Sequence, residues 1–320
     1  MITLDDVLEA RSRIQGVAAR TPLLRCYTSD EHEVYLKPES FQPIGSFKIR
    51  GAYNKVASLP EAERRKGVIT YSSGNHAQGV AYAAKALGVK AVIVMPRNAP
   101  KVKVDATAAL GAEIVFVGVG SDERLKKAQE LAAEHGYAII PPYNDEKIIA
   151  GQGTIGLEIL EDLQEVDLVL APVGGGGLLS GIATAIKLSG SRAKVVGVEP
   201  ELANDAQQSF RSGHIVAIPP ERAASTLADG LRTQSIGPIN FEHIRKYVDD
   251  VVTISENEMR ESVRRMVAMA RVVPEPSGAV AFAAWLFHRA QLPEAKKVAA
   301  VISGGNVEPE LLAEILKGTS

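Results

Sequence analysis

Residues 167–186 read DLVLAPVGGGGLLSGIATAI, and this stretch decides the fold of the chain. Its first part is an apolar run typical of a buried strand, and residues 178–186 have the composition of a helix. Four consecutive glycines connect the two. A glycine turn in this position directs free backbone N–H groups and the positive end of the helix dipole to one point. The stretch therefore predicts an α/β fold with a phosphate-binding turn at the carboxyl end of a strand.

Strand-like runs rich in β-branched residues recur on both sides of this stretch. Before it they begin at residues 68, 91, 113 and 138, and after it at residues 194, 251 and 298, with helical patterns between them. Such alternation is typical of parallel sheets. A turn-prone segment at residues 141–145 separates the two series. We expect two open parallel-sheet domains: a large one formed by residues 1–55 and 145–320, and a small one formed by residues 56–144.

The composition describes a globular protein of the cytoplasm. The 320 residues correspond to about two domains, and 46% of them are hydrophobic. The 36 basic and 38 acidic residues give a net charge of −2, which is unsuited to nucleic acid or to an anionic membrane surface. Cys26 is the single cysteine, as expected in a reducing compartment, and the acidic N-terminus does not resemble a secretion signal. We expect a cytoplasmic protein with no nucleic-acid partner and no membrane partner.

A dinucleotide is one candidate ligand for the glycine turn. Glu199 follows Gly175 by 24 residues, where an NAD-binding protein places the acid that binds a ribose. The fingerprint is incomplete, because Ser180 stands where the third glycine or alanine is required. A cofactor with a single phosphate fits better. An NAD-dependent oxidoreductase and a binding protein without a cofactor remain the alternatives of other classes.

A lysine motif indicates which phosphorylated cofactor this is. The segment GSFKIRG, residues 45–51, places Lys48 beside Phe47 and between two glycines. Apolar neighbours lower the pKa of an amine and so favour its nucleophilic form, which forms Schiff bases with carbonyl groups. Together with a turn for one phosphate, Lys48 points to pyridoxal phosphate.

Three further motifs are placed to complete a site. Ser72, Ser73, Asn75 and His76 follow a strand and open a helix, so that hydroxyls and free N–H groups could bind a carboxylate. Two more segments, residues 275–278 and 303–306, begin a helix and follow a strand. Ligands of open α/β sheets bind beyond the carboxyl ends of the strands, where these motifs are expected.

The five motifs at residues 46–52, 72–76, 174–177, 275–278 and 303–306 together resemble the fold-type II pyridoxal-phosphate enzymes, within them the serine/threonine dehydratase and serine racemase family. The resemblance implies a tryptophan synthase beta-like fold, with the cofactor in the cleft between two domains. It also implies a homodimer that acts on a small hydroxy amino acid.

The resemblance also implies which residues contact the cofactor. Lys48 would hold it as a Schiff base, with Phe47 against the ring and Glu275 among the binding residues. Asn75 would bond the 3-oxygen, and Ser303 would meet the pyridine nitrogen. The residues expected to hold the phosphate share the glycine turn; they are Gly174, Gly175, Gly176, Gly177 and the amide of Leu178.

A divalent-cation site is implied one strand further on. Glu199, Ala203 and Asp205 match the spacing of the cation site of serine racemase and some bacterial dehydratases. Two carboxylates and a carbonyl form a hard oxygen site, which suits Mg²⁺ or Ca²⁺. The alternative is that these are two solvated acids.

The activity that the resemblance implies is an ammonia-lyase, or dehydratase, reaction. L-Threonine or L-serine would lose its β-hydroxyl and give 2-oxobutanoate or pyruvate and ammonia, with Lys48 removing the Cα proton. Ser73, on the opposite face, would allow serine racemisation as an alternative. A threo-3-hydroxyaspartate dehydratase is the other alternative, since Arg124 could bind a second carboxylate.

Overall fold

The computed structural model describes residues 1–27, 31–72, 74–99, 101–118 and 121–318, without the side chains of residues 102, 121 and 122. The strands are β1 (Leu24–Cys26), β2 (Glu33–Pro38), β3 (Val68–Thr70), β4 (Ala91–Pro96), β5 (Glu113–Val117), β6 (Ala138–Ile139), β7 (Leu168–Pro172), β8 (Lys194–Pro200), β9 (Asp250–Ile254) and β10 (Lys297–Ile302). The helices of the first half are α1 (Leu4–Ile14), α2 (Lys48–Ser58), α3 (Glu61–Arg64), α4 (Asn75–Ala86), α5 (Lys101–Ala109), α6 (Ser121–His135) and α7 (Glu146–Asp162). Those of the second half are α8 (Gly177–Leu188), α9 (Asp205–Ser212), α10 (Pro220–Ala224), α11 (Pro238–Tyr247), α12 (Glu256–Arg265), α13 (Pro276–Phe287) and α14 (Pro309–Lys317).

The strands form two sheets, as the strand–helix alternation predicts. One has six strands in the order β1-β2-β10-β7-β8-β9, and the other has four in the order β5-β4-β3-β6. Every pairing is parallel except that of β1 with β2. The predicted α/β class with parallel sheets is confirmed. The domain limits stay a prediction, and the one at residue 55 would fall inside helix α2.

The carboxyl edges of the two sheets carry the motifs. Because β7, β8 and β10 are parallel neighbours, the glycine turn, Glu199 and Ser303 come at the same edge of the six-stranded sheet. Asn75 follows β3 of the four-stranded sheet.

Three element boundaries place the motif residues. Lys48 is the first residue of helix α2. Asn75 and His76 begin helix α4, and Ser72 precedes it. Strand β8 continues to Pro200, which puts Glu199 inside the sheet.

Helix α7 is the buried support of helix α2. Asp145 caps α7 by accepting hydrogen bonds from the amides of Lys147 and Ile148. A Cβ on Gly151 would lie 2.6 Å from the Cα of Gly51, so the two helices cross in direct backbone contact. Glycine at both positions is required by this close approach.

A buried ion cluster also joins helix α2 to helix α7 and to the segment after β2. The guanidinium of Arg50 donates to both oxygens of Glu39, at 2.8 Å each, and to both oxygens of Glu158, at 2.6 and 2.9 Å. Lys37 also pairs with Glu158, at 2.7 Å. Burial alone would raise the pKa of Glu39, but the charge and hydrogen bonds of Arg50 hold that pKa below its ordinary value. Removing one member would leave a buried charge unpaired, which typically costs about 3–5 kcal/mol.

Within the described ranges, no helix has both the length and the apolar character needed to cross a bilayer.

Candidate active site

Lys48 lies at the N-terminus of α2, where its amine is largely deprived of water. Its Nζ donates a 2.8 Å hydrogen bond to the carbonyl oxygen of Pro142 and lies 5.1 Å from the centroid of the Phe47 ring. Burial lowers the pKa of Lys48 to about 8, although the charge of Glu275 acts in the opposite direction. A neutral amine is therefore accessible near neutral pH, as the lysine motif predicts.

The glycine turn has no room for side chains. A Cβ on Gly175 would lie 2.3 Å from ring atoms of Tyr143, and one on Gly176, whose φ is +94°, would lie 2.9 Å from Cβ of Asn240. A Cβ on Gly177 would lie 3.2 Å from Cβ of Tyr143, and one on Gly174 would lie 3.2 Å from Cα of Leu231.

The backbone amides of the turn are available to a ligand. In the part of the chain that the structure describes, the amides of residues 174–178 donate to no protein acceptor, whereas the carbonyl of Gly175 accepts from the amide of Gly237 at 3.1 Å and from Asn240. These amides begin helix α8. Free N–H groups at a helix N-terminus fit a phosphate group.

The dipeptide Pro142–Tyr143 joins the lysine to the glycine turn. The carbonyl of Pro142 accepts from Lys48, and the ring of Tyr143 packs on Gly175. The amine and the free amides therefore lie on either side of two consecutive residues. In the sequence, Tyr143 is recognisable only as part of a turn, although its position after strand β6 is a signal that could have marked it.

Asn75, Glu275 and Asn306 form a chain of hydrogen bonds beside the lysine. Asn75 donates to Oε1 of Glu275 at 2.7 Å and accepts from Nδ2 of Asn306 at 2.8 Å. Burial, and next the charge of Asp229, raise the pKa of Glu275 to about 8. The chain connects helix α4 of one sheet to the segments after β10 and before α13 of the other.

Ser303 and the lysine motif are held together by backbone contacts. The amide of Phe47 donates to the carbonyl of Ser303 at 3.0 Å, and Ser46 and Gly304 form an isolated β-bridge. Among the described residues, the hydroxyl of buried Ser303 reaches only the carbonyl of Ser277, at 3.4 Å. A contact this long leaves the hydroxyl free to turn toward another partner.

His76 is a fixed neutral side chain and not an acid. Its Nε2 lies 3.0 Å from the carbonyl oxygen of Ile140, which can only accept, so that this nitrogen carries the proton. Nδ1 is buried and has no partner among the described residues. Burial, and then the charge of Lys48, lower the pKa of His76 to about 3. His76 therefore offers a hydrogen-bond acceptor and no charge at neutral pH.

The other residues expected to contact the substrate are Ser72, Ser73 and Arg124. The hydroxyl of Ser72 accepts from the amide of Gly74 at 3.3 Å, and Ser73 lies outside the described residues. Arg124, in helix α6, has a buried Nε and makes no hydrogen bond or ion pair with any described residue. Burial lowers its pKa. This guanidinium therefore has no counter-ion among the residues that the structure describes.

Glu199 and Asp205 are both fully buried next to Ala203. Glu199 accepts from the amides of Gln207, at 2.7 Å, and Ala206, at 3.3 Å, while neither carboxylate oxygen of Asp205 has a hydrogen-bond partner in the described ranges. Burial raises the pKa of Asp205 to about 7, and burial together with the charge of Asp205 raises that of Glu199. Two buried acids without a counter-ion fit a divalent cation. Because Glu199 is fully buried against the first turn of α9, a ribose cannot reach it, which removes the argument for a dinucleotide.

A buried lysine of low pKa next to a turn of free amides defines an enzyme that carries a phosphorylated carbonyl cofactor on a lysine. The comparisons with known proteins agree. Residues 14–304 match the family described as pyridoxal-phosphate dependent enzyme, and the chain belongs to that family.

Several characterised proteins are similar to this chain over almost their whole length. An L-threo-3-hydroxyaspartate ammonia-lyase of Saccharomyces cerevisiae is 44% identical over 319 residues, which cover 99% of this chain and 97% of that protein. A catabolic L-threonine dehydratase of Escherichia coli K12 is 43% identical over 318 residues, covering 98% and 96%. The structure of maize serine racemase superposes with a TM-score of 0.93 at 36% identity, covering 98% of this chain and 97% of that one. The predicted family is confirmed.

Proposed function

We propose that this protein is an ammonia-lyase that converts L-threonine and L-serine to 2-oxobutanoate and pyruvate. The observation that carries the proposal is the arrangement around Pro142–Tyr143, with the low-pKa amine of Lys48 on one side and the free amides of the glycine turn on the other. The similarity to a threonine dehydratase supports the choice of reaction.

Each site residue has a task in this proposal. When bound, pyridoxal phosphate withdraws electrons from the amino acid's Cα. The amides of residues 174–178 hold the phosphate, and Asn75 and Ser303 bond the ring oxygen and ring nitrogen. Phe47 lies against the ring, and Glu275 accepts from Asn75.

Lys48 moves the proton that the reaction requires. Its amine takes the Cα proton, the Cβ–O bond breaks and the hydroxyl leaves as water. Water is added back when the 2-oxo acid and ammonia are released, so that threonine gives 2-oxobutanoate and ammonia. Since the pKa of Lys48 is about 8, the amine can both take and return a proton near neutral pH.

The direct test is product formation by the protein loaded with pyridoxal phosphate. L-Threonine should give equal amounts of 2-oxobutanoate and ammonia, and Lys48→Ala should reduce this to trace levels in folded protein. Formation of neither product from threonine, serine or 3-hydroxyaspartate by cofactor-loaded protein would refute the proposal.

A second candidate substrate is threo-3-hydroxyaspartate. Arg124 is partly buried and has no counter-ion in the described residues, and a second substrate carboxylate would supply one. The similar protein of Saccharomyces cerevisiae is named as an ammonia-lyase of L-threo-3-hydroxyaspartate. Arg124→Gln should then lower kcat/KM for 3-hydroxyaspartate by about tenfold or more, with little change for threonine. An equal loss for both substrates would exclude this role.

Serine racemisation is the second candidate activity, supported by the likeness to maize serine racemase. It requires an acid on the face opposite Lys48, and we assign that role to Ser73, with the hydroxyl of Ser72 and the backbone amides of Asn75 and His76 around the substrate carboxylate. Ser73→Ala should then reduce D-serine formation far more than pyruvate formation. Chiral analysis of recovered serine measures the ratio, and equal losses would make Ser73 a binding residue only.

A divalent cation, Mg²⁺ or Ca²⁺, completes the proposal. The carboxylates of Glu199 and Asp205 and the carbonyl of Ala203 would hold it. The fully buried carboxylate of Asp205 supports this assignment, because it has no counter-ion among the described residues and burying a charge without one is costly.

The proposal includes a cytoplasmic homodimer with two domains per chain. The apolar side chains of Phe41, Met269 and Val273 are 51%, 40% and 44% exposed. A Cβ on Gly305 would lie 2.7 Å from the carbonyl of Val273 and 2.9 Å from Cβ of Ser40, the residue before Phe41. The backbone segments that carry Phe41 and Val273 therefore lie close together. Exposed apolar groups of this kind favour association. Light scattering during gel filtration gives the mass in solution, and a monomer at micromolar concentration would contradict the dimer.

A further inference from the structure

Asn75 can bond an oxygen of the cofactor only if its amide presents N–H and not C=O. An asparagine amide has two donors at one end and an acceptor at the other, and the two orientations occupy the same space. Something in the protein must therefore select one orientation.

The hydrogen bonds of Asn306 make this selection. Its Nδ2 lies 2.8 Å from the carbonyl oxygen of Ile44, and since a backbone carbonyl only accepts, the NH₂ end of Asn306 must point there. The same Nδ2 lies 2.8 Å from the side chain of Asn75. The atom of Asn75 that meets this donor must be its oxygen, and its NH₂ group is turned to Glu275, at 2.7 Å.

The position of Asn306 is itself fixed by close packing. A Cβ on Gly45, whose φ is +71°, would lie 2.3 Å from Oδ1 of Asn306. The amide of Gly305 donates to the carbonyl of Gly45 at 2.9 Å. The segment after β10 is thus attached to the segment that precedes Lys48, and this attachment fixes the position of the Ile44 carbonyl relative to Asn306.

We infer that Asn306 is a positioning residue that orients the amide of Asn75 toward the cofactor. One proton of Asn75 Nδ2 goes to Glu275, and the second is left for the ring oxygen of pyridoxal phosphate. This inference rests on the cofactor site of the proposed function, and it adds a residue that does not itself contact the cofactor.

The most informative variant is Asn306→Asp, which keeps the shape and removes the donor. Its carboxylate would face two acceptors, the carbonyl of Ile44 and the oxygen of Asn75, so that Asn75 is expected to turn over. The amide oxygen of Asn75 would then face the ring oxygen of pyridoxal phosphate, and no hydrogen bond could form between them. The apo-protein should bind pyridoxal phosphate about tenfold more weakly or worse, and the pH midpoint of the visible absorption of the bound cofactor should shift. Asn257→Asp, at an exposed position of helix α12, is the matched control and should change neither value.

A double-mutant cycle separates positioning from a general structural effect. Asn306→Ala should weaken cofactor binding in the wild type and have little effect when Asn75 is already alanine, because there is then no amide to orient. This cycle also tests the positioning role of Asn306 if Asn306→Asp does not fold. Melting temperatures of all variants measure the stability change separately.

Two results would overturn the inference. One is wild-type cofactor affinity and absorption in folded Asn306→Asp or Asn306→Ala. The other is an equal loss from Asn306→Ala with and without Asn75. In both cases the wild-type protein still binds pyridoxal phosphate, so that the proposed reaction stands; failure of the wild type to bind would instead refute the proposed function.

Discussion

At the residue scale, the lysine motif predicts that Lys48 lies among apolar neighbours, and burial does lower its pKa to about 8. Phe47 and the flanking glycines are visible in the sequence, and the structure adds the acceptor that they do not reveal, the carbonyl of Pro142. This contact joins residues 94 positions apart, so no local pattern could have shown it. For the same reason Asn306 is recognisable in the sequence only as part of a turn, although it meets Asn75 across 231 positions.

The pKa of Lys48 leads to a pH prediction. Burial lowers it from 10.5 to about 8, so the neutral, reactive amine becomes dominant as the pH rises through about 8. The rate at which apo-protein takes up pyridoxal phosphate should therefore rise with a midpoint near pH 8. Stopped-flow absorbance at several pH values measures it. A midpoint near the ordinary lysine value would show that the amine is not desolvated.

At the element scale, the glycine turn between β7 and α8 is the feature that sequence predicts best. Strand, turn and helix all lie within residues 167–188, and each has a local signal. The partner of the turn is different, because Tyr143 belongs to the segment before α7 and reaches Gly175 only in the folded chain.

Gly175→Ala tests that packing. The new Cβ would lie 2.3 Å from the Tyr143 ring, so the variant should lose about 1–3 kcal/mol of stability and bind the cofactor more weakly. In a Tyr143→Ala background the same change should cost much less, since the ring is gone. Thermal melts and cofactor titrations of the four proteins give the comparison. A cost that is independent of Tyr143 would place the constraint in the backbone instead.

The segment from β8 to α9 gives a prediction about the cation and pH. The pKa of Asp205 is raised from 3.8 to about 7 in the folded state, so protonated Asp205 favours the folded state of metal-free protein. This contribution to stability is complete below pH 4 and is lost as the pH rises through 7. Mg²⁺ or Ca²⁺ should recover the lost stability at pH 8, and EDTA should remove that gain.

Asp205→Asn is the matched variant for this prediction. It keeps the shape of the side chain and removes its charge, so it should abolish both the response to cation and most of the pH dependence. Melting temperatures at pH 5 and pH 8, with elemental analysis of the protein, measure both effects. If the wild-type protein contains no metal and neither EDTA nor added cation changes its melting temperature, Glu199 and Asp205 do not bind a cation.

At the scale of the whole molecule, the site joins residues of both sheets. Asn75 and His76 lie in helix α4, which follows β3 of the four-stranded sheet, whereas Ser303, the glycine turn and Glu275 belong to elements around the six-stranded one. The alternation of strands and helices predicts two parallel sheets. It does not predict that β10 would insert between β2 and β7, because strand order depends on packing between distant segments.

An ion pair between Lys103 of helix α5 and Asp229 crosses from one sheet unit to the other, and both charges act on Glu275. The side chain of Lys103 is 11% exposed and that of Asp229 is 36% exposed, so removing one charge should cost more stability than the ~1 kcal/mol typical of a fully exposed pair. Lys103→Asp should also increase hydrogen exchange in α5 and raise KM, and the swapped pair Lys103→Asp with Asp229→Lys should recover part of both. Equal exchange in all three proteins would show that the pair does not restrain the two units.

The most direct test of the central claim is to identify the lysine that carries the cofactor. Protein loaded with pyridoxal phosphate is reduced with borohydride, digested and analysed by mass spectrometry, with Lys48→Ala treated in parallel. We expect the added cofactor mass on the peptide that contains Lys48 in the wild type and not in the variant, and we expect the variant to have lost 2-oxobutanoate formation. Labelling of a different lysine, or substantial turnover by Lys48→Ala, would contradict it.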